Sequence, residues 1–381
     1  MEILNTIVSP GTKNTPLAGA LLKGNVDYRM LTRPAHVEYH RIFDTVKETG
    51  AHHFLHGVAV EQWQGRLAAC FAFNGKEENT VTEQLYVTWS ADNGKSWTKA
   101  EPIASPAFHA NSHSVFLAKE DALWCFGPHF MGLGERTYTK KDRWTLHFVE
   151  LQMEAWSWNG EGWQSHGIVA DDFWPLGEPT RMDNGCWLIA GCDTHWMGAV
   201  AISHGDDLMH WDIVKPDTDE EVLTEAGAWV NGNEVMMVLR NQSLLTDGKY
   251  YAHVARSTDY GKTFTPCEIT NLPISTTKPF CGYLADGRPY LIFNESIDGD
   301  PTGRSRLLMG IGQKGTFTID HMVVVDEGYR GIECERMRLS YPYAKQIGSN
   351  LYVAYSYESA PGTGHNHNDA MLAIIDVNSL D

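Results

Sequence analysis

The sequence contains few cysteines, and none of them are paired at metal-ligand spacing. Seven occur in 381 residues, an odd number, and no C-x-x-C motif is present. A disulfide framework or a cysteine-ligated zinc needs paired, regularly spaced cysteines, so both are disfavoured. We expect buried thiols and a reducing compartment, the cytoplasm, unless a signal peptide has been removed from an exported protein. The cysteines are Cys70, Cys125, Cys186, Cys192, Cys267, Cys281 and Cys334.

Basic residues are also scarce. Lys and Arg number 30 against 48 Asp and Glu, which gives a formal net charge of −18. Such a charge repels polyphosphate and anionic lipid, so a nucleic-acid or membrane partner is disfavoured. No apolar run approaches the roughly 20 residues that span a bilayer, and the first residues lack the basic and apolar regions of a signal peptide. The sequence therefore predicts a soluble protein.

Several common catalytic motifs are missing. There is no Gly-rich phosphate loop, GxSxG or HExxH motif, which argues against nucleotide, acyl-transfer and zinc-peptidase chemistry. His365 and His367 alternate in a segment flanked by glycine, a spacing that suits a metal, but no fourth ligand is identifiable. We therefore predict neither a metal site nor a cofactor.

What the chain does contain is a repeat. A strand, a polar turn and a second apolar strand recur six times, with turns 47 to 64 residues apart. Most copies are followed by two more runs of alternating aromatic and β-branched residues, which is typical of antiparallel strands, and no segment has a sustained helical period. The turn centres are Gly65, Asp121, Gly185, Gly232, Gly287 and Gly348.

Four strands repeated six times predict an all-β, six-bladed β-propeller, because one such sheet cannot bury both faces alone. We expect a single domain over residues 1–381. The sixth repeat ends after three strands, so the N-terminal segment, residues 1–45, is expected to supply the missing strand and close the ring. A seven-bladed ring, with residues 1–50 forming a full blade, is the alternative.

Two turns share the pattern S-x-D-x-G-x-[ST]-[WF]. They are SADNGKSW at residues 90–97 and STDYGKTF at residues 257–264. The Asp can accept backbone N–H bonds, the Gly tolerates positive φ, and the aromatic packs beneath the turn. Both resemble the Asp box of the BNR-repeat propellers in the sialidase superfamily.

The resemblance extends to candidate site residues. Glu225 and Arg240 have the spacing of a Glu and an Arg in sialidase-like enzymes, where the Arg binds an anionic sugar group. The chain departs from the family in blade 1, where HHFLHG at residues 52–57 replaces the motif that carries the first arginine of a carboxylate-binding triad. Lys278 is expected to stand in for the third triad residue. A relative acting on another sugar is therefore expected rather than a true sialidase.

The first residues of the inner strands should converge on the central funnel. Counting back seven residues from the turn centres gives Glu178, Glu225 and Tyr341. Paired carboxylates can protonate a glycosidic oxygen and activate water. Tyr341 resembles the sialidase nucleophile, which a carboxylate such as Glu225 would activate. The alternative for Tyr341 is packing between blades, a role for which Tyr343 is equally suited.

Histidines and further arginines complete the candidate set. His113 opens the inner strand of blade 2 and is a candidate general acid or base, because the imidazole pKa lies near neutrality. The remaining candidates are assigned to substrate binding at the same funnel. They are His56, His129, Arg181 and Arg338.

These features predict a carbohydrate-active enzyme, a glycoside hydrolase that removes a terminal sugar from a glycan. Two alternatives remain open. A polysaccharide lyase would use His113 or Tyr341 to abstract the proton next to a uronate carboxylate, which Arg181, Arg240 or Arg338 would neutralise. A non-catalytic glycan-binding propeller is the other, since one fold serves many functions.

Overall fold

Six antiparallel sheets of four or five strands account for most of the described chain. The computed structural model describes residues 21–24, 26–104, 108–119, 121–328, 337–358 and 366–380. The sheets are arranged as the blades of a propeller, so the prediction of an all-β, six-bladed fold is confirmed. His365 and Cys334, which the sequence singled out, lie outside the described residues.

The strands of each blade follow one another in sequence, except that the outermost strand of blade 6 comes from the N-terminal part of the chain. Blade 1 comprises Phe54–Trp63, Arg66–Asn74, Gln84–Ser90 and Glu101–Pro102. Blade 2 comprises Ala110–Asn111, Val115–Lys119, Ala122–Phe130, Gln152–Trp158 and Trp163–Asp171. Blade 3 comprises Trp174–Pro175, Thr180–Arg181, Trp187–Cys192, Gly198–His204 and Asp207–Val214.

Blades 4 to 6 repeat this arrangement. Blade 4 comprises Leu223–Asn231, Glu234–Asn241, Leu245–Thr246, Lys249–Ser257 and Glu268–Pro273. Blade 5 comprises Phe280–Tyr283, Pro289–Asn294, Arg306–Ile311 and His321–Glu327. Blade 6 comprises Leu339–Ile347, Asn350–Glu358, Asn368–Asp376 and Val37–Phe43. Outside the blades lie a ribbon, Thr137–Tyr138 with Trp144–Thr145, one α-helix, Thr45–Thr49, and two 3₁₀ turns, Tyr28–Met30 and Val377–Ser379.

Strands from the two ends of the described chain pair to close the ring. Val37–Phe43 runs antiparallel to Asn368–Asp376, with Val37 opposite Ile375. The Tyr39 hydroxyl donates to the Val325 carbonyl of blade 5 at 2.7 Å, so this strand also joins neighbouring blades. Ile42 is buried in the main hydrophobic core. The pairing leaves no free edge on the last C-terminal strand.

The two S-x-D-x-G turns are built alike. Asp92 accepts hydrogen bonds from the Ser96 amide at 2.9 Å and the Ser96 hydroxyl at 2.6 Å. Asp259 accepts the same pair from Thr263 at 2.9 and 2.6 Å. The hydroxyl bonds above all lower the pKa of each carboxyl to about 2. Each Asp therefore fixes its turn as a carboxylate, as the motif predicts.

Six of the seven cysteines lie in the described residues, all as free thiols, four of them buried. None of the described helices has both the length and the apolar run that a membrane crossing requires.

The ring-closing strand generates a stability prediction. Ile42→Ala should lower the free energy of unfolding by about 2–4 kcal/mol, because it removes buried methyl groups where the ends of the ring meet. Val46→Ala is the matched control, since Val46 is 40% exposed and its truncation should cost no more than about 0.5 kcal/mol. Denaturant titration measures both. Equal effects of the two substitutions would contradict a closing role for this strand.

Candidate functional site

Three inner strands share a β-bulge close to where they begin. The strand register shifts between His56 and Ala59 in blade 1, between Thr224 and Ala226 in blade 4 and between Ser340 and Tyr343 in blade 6. A bulge inserts an extra residue, bends the strand and redirects a side chain.

A residue with positive φ lies within each bulge. These residues are Gly57 at 60°, Glu225 at 35° and Tyr341 at 54°. Two of the three are non-glycine residues in a conformation that costs about 1–3 kcal/mol each, which is typical of functional sites.

Glu225, Arg240 and Tyr341 form a hydrogen-bonded triad. Arg240 Nη1 donates to Glu225 Oε2 at 2.6 Å and to the Tyr341 hydroxyl oxygen at 3.2 Å. The Tyr341 hydroxyl in turn donates to Glu225 Oε1. All three side chains are buried, and the structure thus brings together three of the residues that the sequence predicted.

The triad sets the charge of its members. Burial acts to raise the pKa of Glu225, but the Arg240 guanidinium and hydrogen bonds from Tyr341 and Arg240 outweigh it, and the net pKa is lowered. Burial and the charge of Glu225 raise the pKa of Tyr341 well above its ordinary value. At neutral pH the triad therefore holds a carboxylate, a guanidinium and a neutral phenol whose proton points at the carboxylate.

The other edge of Arg240 is occupied by a side-chain amide. Nε and Nη2 both donate to Gln242 Oε1, at 3.1 and 2.9 Å. These are the two N–H groups with which a guanidinium can bind both oxygens of a carboxylate, and here they share one amide oxygen. The Trp196 ring lies 4.6 Å from the Arg240 guanidinium carbon. The Arg240 guanidinium is thus fixed by hydrogen bonds along both edges and by the Trp196 ring.

Two histidines form the wall beside Tyr341. The His56 and Tyr341 ring centroids are 3.9 Å apart, and those of His113 and Tyr341 are 5.4 Å apart. Burial, with the nearby charge of Lys278, lowers the pKa of His113 to about 3. His113 is therefore neutral at physiological pH.

The triad and the two histidines open into a cavity of about 470 Å³. Its lining includes one carboxylate that the sequence did not single out, Glu78, whose Oε2 accepts from Asn366 Nδ2 at 3.0 Å. Aromatic and apolar side chains form much of the remaining wall, together with polar and basic ones, a mixture that suits a sugar ring. The lining also includes Asn79, Arg136, Trp144, Leu146, Phe148, Trp174, Leu176, Cys192, Trp196, Gln242 and Arg304.

Arg304 is a second cation at the cavity. Its Nη2 donates to the Thr276 carbonyl at 2.9 Å, whereas its buried Nε has no acceptor among the described residues. Burial, followed by repulsion from Arg240 and Arg338, lowers the pKa of Arg304 to about 10. Arg304 thus remains charged at neutral pH.

Lys278, expected as the stand-in for a triad arginine, lies against the Tyr341 ring. Its Nζ is 5.9 Å from the ring centroid and donates to the Pro342 carbonyl at 2.9 Å and the Leu176 carbonyl at 3.2 Å. Burial lowers its pKa to about 8, although Glu225 opposes the shift. It does not line the cavity, where Arg304 supplies a cation instead.

Glu178 is not brought together with Glu225. Its Oε1 accepts from Lys345 Nζ at 2.6 Å, and Lys345 also pairs with Glu61 at 2.8 Å. Lys345 lies four residues beyond Tyr341 on the inner strand of blade 6, so this cluster is further along the channel. The expected pairing of Glu178 and Glu225 across the cavity is not what the structure shows.

Three other predicted residues also lie outside the cavity lining. Arg181 is exposed on blade 3, 3.8 Å from Asp206. The Arg338 backbone amide donates to Glu358 Oε2 at 3.2 Å. The charge of Arg338 contributes to the lowered pKa of Arg304. His129 lies on blade 2 beside Glu154.

Comparisons with known proteins bear on the fold. Residues 176–353 match the family model described as a BNR repeat-like domain. No curated protein sequence matches the chain significantly.

Solved structures give more extensive matches. A protein of unknown function from Dyadobacter fermentans has TM-score 0.65 and 19% identity over 90% of this chain and 98% of that one. The Trypanosoma rangeli sialidase, bound to the inhibitor DANA, has TM-score 0.64 and 12% identity over 91% of this chain and 60% of that one. A variant of the NanB sialidase from Streptococcus pneumoniae has TM-score 0.63 and 10% identity, covering 89% and 71%.

The fold defines the protein as a six-bladed β-propeller, part of which matches the BNR repeat-like family model. Its fold is similar to that of the sialidases, as the resemblance in the sequence implied. At these identities the likeness establishes the fold alone, because one fold hosts many activities.

The bulge in blade 1 generates a prediction about the cavity wall. A Cβ on Gly57 would lie 2.2 Å from His113 Cγ, whereas Gly65, also at positive φ, has nothing within 4 Å. Gly57→Ala should therefore destabilise the protein by about 1–3 kcal/mol more than Gly65→Ala, because it adds overpacking to the same backbone strain. Denaturant titration of both variants tests this, and equal losses would show that the contact with His113 does not constrain position 57.

Proposed function

We propose that the protein is a glycoside hydrolase that cleaves a terminal, anionic sugar in this cavity. The observation that carries the proposal is the triad, in which the phenol proton of Tyr341 points at a carboxylate that Arg240 keeps ionised. A phenol held in this way is a nucleophile with its base already in place.

In the first step, Tyr341 oxygen attacks the anomeric carbon while Glu225 takes the phenol proton. The bond from that carbon to the leaving oxygen breaks, and the Glu78 carboxyl group gives its proton to that oxygen. In the second step water attacks the same carbon, Glu78 takes a proton from the water, and Glu225 returns one to Tyr341. Two displacements at one carbon retain its configuration.

Arg240 Nη1 supports the first step directly. It donates to both Glu225 and the Tyr341 oxygen, so it stabilises the negative charge wherever the proton lies along the path. This is electrostatic stabilisation by a group that needs no reorganisation.

An anionic sugar is supported by the cations at the cavity. Three arginines, Arg136, Arg240 and Arg304, line it against two acidic side chains, Glu78 and Glu225. Arg304 Nε is buried with no acceptor among the residues that the structure describes, and the outer edge of Arg240 donates to the neutral amide of Gln242. A carboxylate on the sugar would replace that amide.

The structural neighbours support covalent catalysis. One structure of the Trypanosoma rangeli enzyme carries 2,3-difluorosialic acid as a covalent intermediate. In this protein the side chains of His56 and His113 lie beside the proposed nucleophile, Tyr341. We therefore propose that these two histidines form part of the wall that contacts the acidic sugar.

Tyr341→Phe should abolish turnover while leaving binding intact. The substitution removes the attacking oxygen, and we expect a fall in kcat of at least about 100-fold with little change in Kd. Tyr343→Phe is the matched control, because Tyr343 is buried two residues away and its hydroxyl has no partner among the described residues.

The assay is a mass-spectrometric screen of acidic glycans in ¹⁸O-labelled water. Hydrolysis incorporates the label at the released anomeric centre, whereas a lyase would give an unsaturated uronate that absorbs in the near ultraviolet. Full activity in Tyr341→Phe would refute the proposed nucleophile. Glycan binding without turnover in the unmodified protein would favour a lectin.

Gln242 and Arg304 should have opposite effects on anionic ligands. Arg304→Gln should weaken binding of an acidic monosaccharide by about tenfold or more, because a charge-assisted hydrogen bond is lost. Gln242→Ala should strengthen it by freeing the outer edge of Arg240. Calorimetry with glucuronate and N-acetylneuraminate, and with galactose as the neutral control, distinguishes these outcomes. Unchanged affinity in both variants would count against an anionic sugar.

A further inference from the structure

A second polar cluster lies on blade 2, outside the cavity lining. His129 is paired with Asn111 on one side, and Glu154 lies on the strand that follows on the other side. His109 immediately precedes the short strand Ala110–Asn111. The sheet thus places two imidazoles and one carboxylate together, and neither the proposed reaction nor the hydrophobic core uses them.

The donor atoms of the three side chains converge. His129 Nδ1 is 3.6 Å from Glu154 Oε2, and His109 Nε2 is 3.9 Å from the same oxygen. Ligand atoms of all three residues lie within 4.8 Å of one another. Ligands of a tetrahedral zinc are separated by roughly 3.4 Å, so the cluster needs a small contraction to hold an ion.

The carboxylate is already oriented by neighbours that would not contact the ion. Asn111 Nδ2 donates to Glu154 Oε2 at 3.2 Å, and the Ser165 hydroxyl donates to Oε1 at 3.2 Å. Outer hydrogen bonds of this kind fix metal ligands in the direction that binding requires.

Access and ring orientation also favour a metal. The side chains of His109, His129 and Glu154 are 23%, 21% and 13% exposed, which leaves a path for an ion from solvent. The two imidazole rings are stacked at 3.8 Å with an interplanar angle of 19°. Coordination requires one ring to turn so that its lone pair faces the shared ion, and partial exposure allows this turn.

We propose that His109, His129 and Glu154 form a binding site for a divalent transition metal of the zinc class. Two imidazoles and a carboxylate are a donor set that zinc prefers, and they leave a fourth position for water. The site is separate from the triad at the glycan cavity, and its existence does not depend on the reaction proposed there.

Titration of the purified full-length protein with Co²⁺ tests this inference. We expect one equivalent to produce visible d–d absorption of four-coordinate cobalt, and one equivalent of Zn²⁺ to abolish it. His129→Ala and Glu154→Gln should each weaken binding at least tenfold. Asn111→Ala should keep the absorption band but weaken binding by about 10–100-fold, because it removes a hydrogen bond that orients Glu154 and leaves all three metal ligands in place.

His204→Ala is the matched control. His204 and His210 form another histidine pair, with ring centroids 6.3 Å apart. His204 Nε2 lies 3.1 Å from Asp212 Oδ2. Removing this exposed imidazole should leave the cobalt spectrum unchanged. Absence of cobalt binding in the unmodified protein would overturn the proposal. So would cobalt affinities of His129→Ala and Glu154→Gln that equal the affinity of the unmodified protein. Should His129→Ala not fold, Glu154→Gln alone decides, since it preserves the size of the side chain.

Discussion

The buried ion pair between Glu225 and Arg240 is the interaction on which the site depends. Both side chains are only 5% exposed, so each has lost its hydration, and their mutual attraction must offset that loss. A pair of this kind contributes little net stability. The pair determines the charge state of Glu225, because the Arg240 guanidinium keeps the carboxylate ionised. The carboxylate then accepts a hydrogen bond from the Tyr341 hydroxyl.

Closure of the propeller ring brings this ion pair next to Tyr341. Glu225 belongs to blade 4 and Tyr341 to blade 6, and 116 residues separate them in the sequence. Lys278, which precedes the inner strand of blade 5, lies against the Tyr341 ring. Closure of the ring fixes these distances, and the bulges at Glu225 and Tyr341 direct both side chains to the axis. Rigid sheets carry the site, which limits the reorganisation that a reaction would require.

Much of this arrangement is predictable from the sequence, because the repeat sets the phase of every inner strand. Counting from the turn centres identifies Glu225 and Tyr341 correctly as neighbours. The same count fails for Glu178, because the inner strand of blade 3 is interrupted between Pro175 and Thr180 and the Glu178 side chain pairs with Lys345 instead. Glu78 and Arg304 lie in loops between strands. A repeat specifies strands and leaves such loops undetermined.

The local charge of the cavity also differs from that of the whole chain. A net charge of −18 argues against polyanionic partners over long distances, but salt screens that field beyond about 10 Å. Inside the cavity the nearest charges decide, and the proposed acidic sugar would meet Arg240 and Arg304 there, in a buried setting where screening is weak. Gln242 accepts hydrogen bonds along the outer edge of Arg240. Exchange of that amide for a carboxylate would replace a neutral acceptor by a charged one, so an acidic protein can select an acidic sugar.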